Sequence, residues 1–102
     1  MNNNIIAAIV FREVKGEYGV TAAQMNSSTR MANIREARQV FTQLMREHSS
    51  MTLEDIGLMV NRDHSTISTT TKVVQDQIDT NAGYKKRYNR IKSNIKSQIE
   101  NV

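Results

Sequence analysis

Arg62-Asp63-His64-Ser65-Thr66-Ile67 places a guanidinium, a carboxylate, an imidazole and two hydroxyls at five successive positions before an apolar residue. Such a set could serve catalysis or recognition. Catalysis by relay needs side chains that converge, whereas neighbours at a helix start point in different directions, so Asp63, His64 and Ser65 cannot form a triad. Recognition of DNA fits better. Short hydroxyl side chains let a helix lie close within a groove about 12 Å wide, and their oxygens meet base edges and phosphates. A threonine methyl can also meet a thymine methyl, while a helix N-terminus favours a phosphate through its free N–H groups. Helix capping accounts for one of these residues, Asp63, but not for a polar run that continues to Thr71.

Two elements must position this stretch. Thr52 to Val60 is an amphipathic segment, and only Asn61 separates it from Arg62, which predicts helix, tight turn, helix. Thr52 and Asp55 fit the capped start of the first helix, whose Ile56, Met59 and Val60 turn inward. The second helix is less plain, because Ser65 to Thr71 leans toward strand by composition and each threonine costs about 0.5 kcal/mol in a helix. The helical stripe of Ile67, Thr71, Val74 and Ile78 decides for helix.

Elsewhere the pattern is helical throughout. Ile5, Ile6, Ile9, Val10 and Val14 stripe a first helix of about residues 3–18, closed by Gly19. Thr21 caps a short second helix through Met25, and Asn26 to Thr29 has turn composition. From about Asn33 the period returns with Ile34, Ala37, Phe41, Leu44, Met45 and His48, and Ser49 to Met51 breaks it. Thr80 to Gly83 reads as a loop, and Tyr84, Tyr88, Ile91, Ile95 and Ile99 stripe a last helix. The expected fold is all-α, a compact bundle of five larger helices and a short one around a helix-turn-helix, Trp-repressor-like in type. Residues 1–80 make the helix-turn-helix domain, and residues 81–102 a basic helix packed onto it.

The bulk properties agree with one small domain. The chain has 102 residues, no cysteine and no proline, and fourteen Lys and Arg against ten Asp and Glu leave +4 at pH 7. Disulfides and thiolate metal sites are excluded, and two histidines without ligand spacing predict no metal site. No apolar run approaches a bilayer span of about 20 residues and no secretory leader pattern opens the chain, so we expect a cytoplasmic protein with no membrane partner. Six basic residues crowd the last twenty positions, and Arg30, Arg35, Arg38 and Arg46 share the middle segment.

Leu53-x-x-Ile56-Gly57 followed by Arg62-Asp63-His64-Ser65-Thr66-Ile67 resembles the signature of the C-terminal DNA-binding domain (domain IV) of the bacterial chromosomal replication initiators, the DnaA family. Arg38-Gln39 on a helix with Leu44 and Glu47 is similar to the family's Arg-Gln helix, and Tyr18-Gly19-Val20 to its domain start. The resemblance covers about residues 5–80. It implies that a loop arginine enters the minor groove while the second helix of the motif reads a nine-base box from the major groove. By position Arg30 is the minor-groove residue, and Arg62, Asp63, His64, Ser65 and Thr66, with Thr69 further along, face the major groove. Arg35, Arg38, Gln39, Arg46 and Lys72 take the phosphate positions.

The chain also departs from that pattern. Ser27-Ser28-Thr29-Arg30 keeps one charge where the family has a basic run, Val60-Asn61 replaces a pair of glycines with a turn one residue shorter, and Thr69 stands where many members have histidine. None of the four glycines begins a phosphate loop ending in Lys-Ser/Thr, so this sequence carries no ATPase motor. It is expected to be a stand-alone relative or an excised domain, the start at Met1 favouring the former. The expected function is sequence-specific binding of double-stranded DNA in replication initiation or its regulation, without enzymatic activity or cofactor, by a monomer or weak dimer. The alternatives are a transcriptional or mobile-element regulator using the same contacts, or a module that docks on a replication or regulatory protein and has lost specific DNA binding.

Overall fold

Asn2, Thr21, Thr52, Asp63 and Asn81 each accept a backbone N–H three residues ahead through their side chains, and five of the six helices among the described residues begin on these caps. The computed structural model describes residues 1–101. Its helices are α1 (Asn3–Tyr18), α2 (Ala22–Asn26), α3 (Ala32–His48), α4 (Leu53–Val60), α5 (His64–Thr80) and α6 (Ala82–Glu100). The all-α expectation holds, and the threonine-rich stretch is helical. The loop expected at residues 80–83 is reduced to one residue. Asn81 closes α5 with its N–H on the Gln77 carbonyl (2.8 Å) and opens α6 by accepting from the Tyr84 N–H (3.0 Å).

Helix α3 is the central element. Ile34, Ala37, Val40, Phe41, Leu44 and Met45 are buried along it, and α1, α5, α4 and α2 all pack against it. Helix α1 contributes Ile6, Ile9, Val10 and Val14, and α6 covers α1 and α5 with Tyr84, Tyr88, Ile91 and Ile95. These residues form one continuous core with Val20, Met25, Ile56, Val60, Ile67 and Val74. Only Ile67 and Val74 of α5 are fully buried, so this helix lies on the surface with its other faces exposed.

The turn between α4 and α5 is set by two residues. Asn61 adopts a left-handed conformation (φ 56°) that asparagine tolerates and most side chains do not. Gly57 lets the chain pass close behind it, since a Cβ there would lie 2.2 Å from the Arg62 carbonyl oxygen. The Arg62 N–H closes the turn on the Gly57 carbonyl at 2.9 Å.

Candidate nucleic-acid interface

At the start of α5 the Asp63 carboxylate accepts from the Thr66 N–H (2.9 Å) and the Ser65 hydroxyl (2.8 Å). The Thr66 backbone bond, more than the Ser65 hydroxyl, holds that carboxyl below the usual carboxylate range. His64, Ser65, Thr66 and Thr69 are exposed along the same end of the helix. The Ser65 hydroxyl donates to Asp63, and the Thr69 and Thr70 hydroxyls donate to the Thr66 carbonyl at 3.0 and 2.8 Å. With their hydrogens used in these bonds, the three hydroxyls have only lone pairs left to offer a ligand, Ser65 and Thr69 at exposed positions and Thr70 at a half-buried one.

Beside them runs the loop from Asn26 to Met31, and its conformation comes from arginines outside it. Arg38, on α3, is only 9% exposed. Its Nε donates to the Met25 carbonyl (2.8 Å) and its Nη2 to those of Ser27 (3.2 Å) and Thr29 (3.5 Å). Arg62 reaches the same place from the turn, with Nη2 on the Ser27 carbonyl (3.0 Å) and Nη1 on those of Val60 (3.1 Å) and Asn61 (2.9 Å). Burial, and secondarily the Arg62 charge, press the Arg38 pKa down from its ordinary value. Arg38, expected on a phosphate, and Arg62, expected at a base, thus have most of their donors on backbone carbonyls.

Two hollows adjoin this region. A cleft of about 120 Å³ between α3 and α5 is lined by Arg35, Gln39, Thr66 and Thr70 over a floor of Thr42 and Ile67, with Arg38 and Arg62 at its edge. A groove of about 520 Å³ is bounded by Ser28, Thr29, Arg30, Arg35, Arg38 and Arg62. Arg62 thus joins Arg30, Arg35 and Arg38 around one concavity, a setting that focuses positive potential. Arg46 and Lys72 line neither hollow. Arg46 donates to the Thr71 hydroxyl, and Lys72 is exposed on α5.

Three of the six basic residues of the C-terminal helix are paired with carboxylates where it packs. Arg87 grips Glu36 through Nε and Nη2 at 3.0 Å each, with Tyr18 donating to the same carboxylate. Arg90 pairs with Glu17, and Lys92 lies 3.4 Å from Glu47. Among the described residues no group of three His, Asp or Glu side chains could hold a metal, and no helix is long and apolar enough to cross a membrane.

Sequence reasoning names Asn61 and Gly57 but misses the left-handed backbone and the close approach that they supply. The signal for both was present, since a short amphipathic helix ending one residue before a second helix needs a residue at positive φ and a close backbone approach. Asn61 also donates to the Asn26 carbonyl (3.4 Å), a contact between distant segments that no local pattern reveals.

The family described as "Bacterial dnaA protein helix-turn-helix" matches residues 7–74, which include α3, the turn and most of α5. A chromosomal replication initiator protein DnaA from Tropheryma whipplei (strain Twist) is 38% identical over 61 residues, 60% of this chain and 13% of the relative. Those of Chloroflexus aggregans and Deinococcus radiodurans are 28% identical over 92 residues and 29% over 91, each 89% of this chain, and 19% and 20% of the respective relatives. The chain spans less than a quarter of the length of these relatives, and residues 7–74, matched by the family, contain the turn, the loop and the arginine groove. The chain belongs to the bacterial DnaA helix-turn-helix family.

Proposed function

We propose that this chain binds double-stranded DNA sequence-specifically in replication initiation or its regulation, as a non-catalytic module in the cytoplasm. The observation that carries this reading is the juxtaposition of the exposed hydroxyl and imidazole face of α5 with a groove of four arginines from the neighbouring loop, α3 and the turn. Helix α5 enters the major groove, where His64, Ser65, Thr66 and Thr69 meet base edges and Asp63 orients them through its cap. Ser65 and Thr69, offering acceptors, suit the exocyclic amines of adenine or cytosine. Arg30 enters the minor groove, and Arg35, Gln39, Arg46 and Lys72 lie along phosphates.

Selection from a fully randomised duplex pool, followed by mobility-shift titration, tests this reading. Enrichment of one sequence family, bound far more tightly than the starting pool, is the expected result. Equal weak binding to every duplex would remove the specific reader. A second reading, docking on a replication or regulatory protein, draws support from Leu58, an apolar side chain 80% exposed on α4 beside Glu54 and Asp55. A partner bound equally well by an Arg30→Ala/His64→Ala variant and lost on Leu58→Ser would favour it.

A further inference from the structure

We infer that Arg38, Asn61 and Arg62 form a clamp that presets the Arg30 loop before DNA arrives, and that Arg62 is a positioning residue for the minor-groove contact and not a base reader. The inference rests on the two-groove reading above. The loop has little holding power of its own. Asn26 to Thr29 are small and polar, no residue of the loop is fully buried, and its local bonds are short-range, such as Ser27 N–H to the Gln24 carbonyl (3.2 Å) and Met31 N–H to the Thr29 hydroxyl (3.3 Å).

The order is imposed from outside. The carbonyls of Met25, Asn26, Ser27 and Thr29 all accept from Arg38, Asn61 or Arg62, and the Ser27 carbonyl takes both guanidinium groups. Three of these bonds come from α3 and two from the turn, so the loop is referenced to both helices flanking the recognition face. Holding a bare loop in its bound shape removes an ordering cost from binding. It also suits a loop that keeps a single arginine, because one charge can contribute only if it points into the groove.

The donor count on Arg62 gives the second half of the inference. Bidentate reading of guanine needs two coplanar N–H groups of the fork. Both Nη1 hydrogens and one on Nη2 are already donated to Val60, Asn61 and Ser27. The end-on Nη1/Nη2 fork is occupied, only the Nε–H and one Nη2 hydrogen remain, and freeing the fork would release the loop. Asn61 supplies in one residue the left-handed backbone and the amide that reaches Asn26.

The test has one arm without DNA and one with it, both on the whole chain. Asn61→Gly keeps the left-handed turn and removes only the amide, and Arg62→Lys keeps the charge and loses the fork. Either should speed amide hydrogen exchange at residues 26–31 by about 5–10-fold, the worth of about one hydrogen bond, and leave α3 and α5 unchanged. Unchanged loop exchange in both variants overturns the clamp. For the second arm, the selected duplex is resynthesised with 2,6-diaminopurine in place of each adenine, which adds an amino group in the minor groove only. Wild type should lose about 10-fold at one or two positions, whereas Arg62→Lys should be insensitive there with its ranking of other base-pair changes intact. Arg30→Ala in the Arg62→Lys background should cost less than about 2-fold. Altered base-pair preference in Arg62→Lys, or wild-type insensitivity to diaminopurine, overturns the positioning role. If selection enriches nothing, the proposed function fails while the exchange arm still decides the clamp.

Discussion

Gly57→Ala is the most demanding single perturbation of the site's geometry. In an ordinary mid-helix position alanine would gain about 1 kcal/mol over glycine. Here the new Cβ meets the Arg62 carbonyl oxygen at 2.2 Å, with the Arg62 carbonyl carbon at 3.4 Å and Ile67 Cγ1 at 3.5 Å. The obstacle is backbone, held by the Arg62 N–H to Gly57 carbonyl bond and by the Asp63 cap that follows. The carbonyl must retreat by about 1 Å, and overpacking that forces backbone shifts of this kind costs about 1–3 kcal/mol. At the upper end of that range, and allowing for the propensity gain, the net loss is about 2 kcal/mol. That is roughly a 30-fold change in the folding equilibrium and a Tm lower by about 8–16 °C for a domain of this size. Urea unfolding followed by circular dichroism should show a lower midpoint at unchanged slope. Because the move displaces Arg62, affinity for the selected duplex should also fall at temperatures where the variant is fully folded. A variant as stable as wild type that binds equally well would refute the close approach as the device that sets the turn.

The remaining predictions concern the face and the titrating groups. Thr66→Val or His64→Ala should change preference at particular base pairs by about 1–3 kcal/mol when the selection is repeated, and uniform weakening would remove them from base readout. Arg46→Ala and Lys72→Ala should instead weaken all duplexes alike and each reduce the salt slope by about 1, which titrations at several ionic strengths will read. Burial, the largest cause in each case, pushes the phenols of Tyr18, Tyr84 and Tyr88 far above the usual phenol range. The neutral phenol is the form the fold prefers, so this stability is complete below the unfolded pKa of about 10 and is lost as pH rises beyond it. Tyrosinate absorbance should therefore appear together with unfolding, and Tyr88→Phe should flatten the alkaline slope. Burial also lowers the His48 pKa. Its contribution is present above the unfolded value of about 6.5 and is lost as pH falls below it, so His48→Gln should flatten the acid side of a stability profile.

The residues that chain chemistry can announce are local ones. Thr52, Asp63 and Gly19 declared helix ends, because a cap acts within a few residues and needs no partner from elsewhere. The stripe of Ile67, Val74 and Ile78 outweighed the strand-leaning threonines, because burying apolar side chains on one face offsets their modest propensity cost. The loop expected at residues 80–83 was not legible in the same way, since Asn81 can close one helix and cap the next, and composition alone does not distinguish that from a turn.

The arginines mark the boundary between the two kinds of information. The sequence by itself determined an all-helical domain, a helix-turn-helix with hydroxyls at the start of its second helix, and a cationic middle segment. It could not assign individual arginines, because a guanidinium has the same five donors whether it meets a phosphate, a guanine or a row of carbonyls. Only the tertiary structure decided that Arg38 and Arg62 meet at Ser27, that Arg87 and Arg90 are paired with Glu36 and Glu17, and that Arg30 and Arg35 line an open groove. The physical reason is range. Caps and stripes are settled within a turn or two of chain, whereas the partner of a long cationic side chain is whatever acceptor the packing of distant helices brings within about 3 Å.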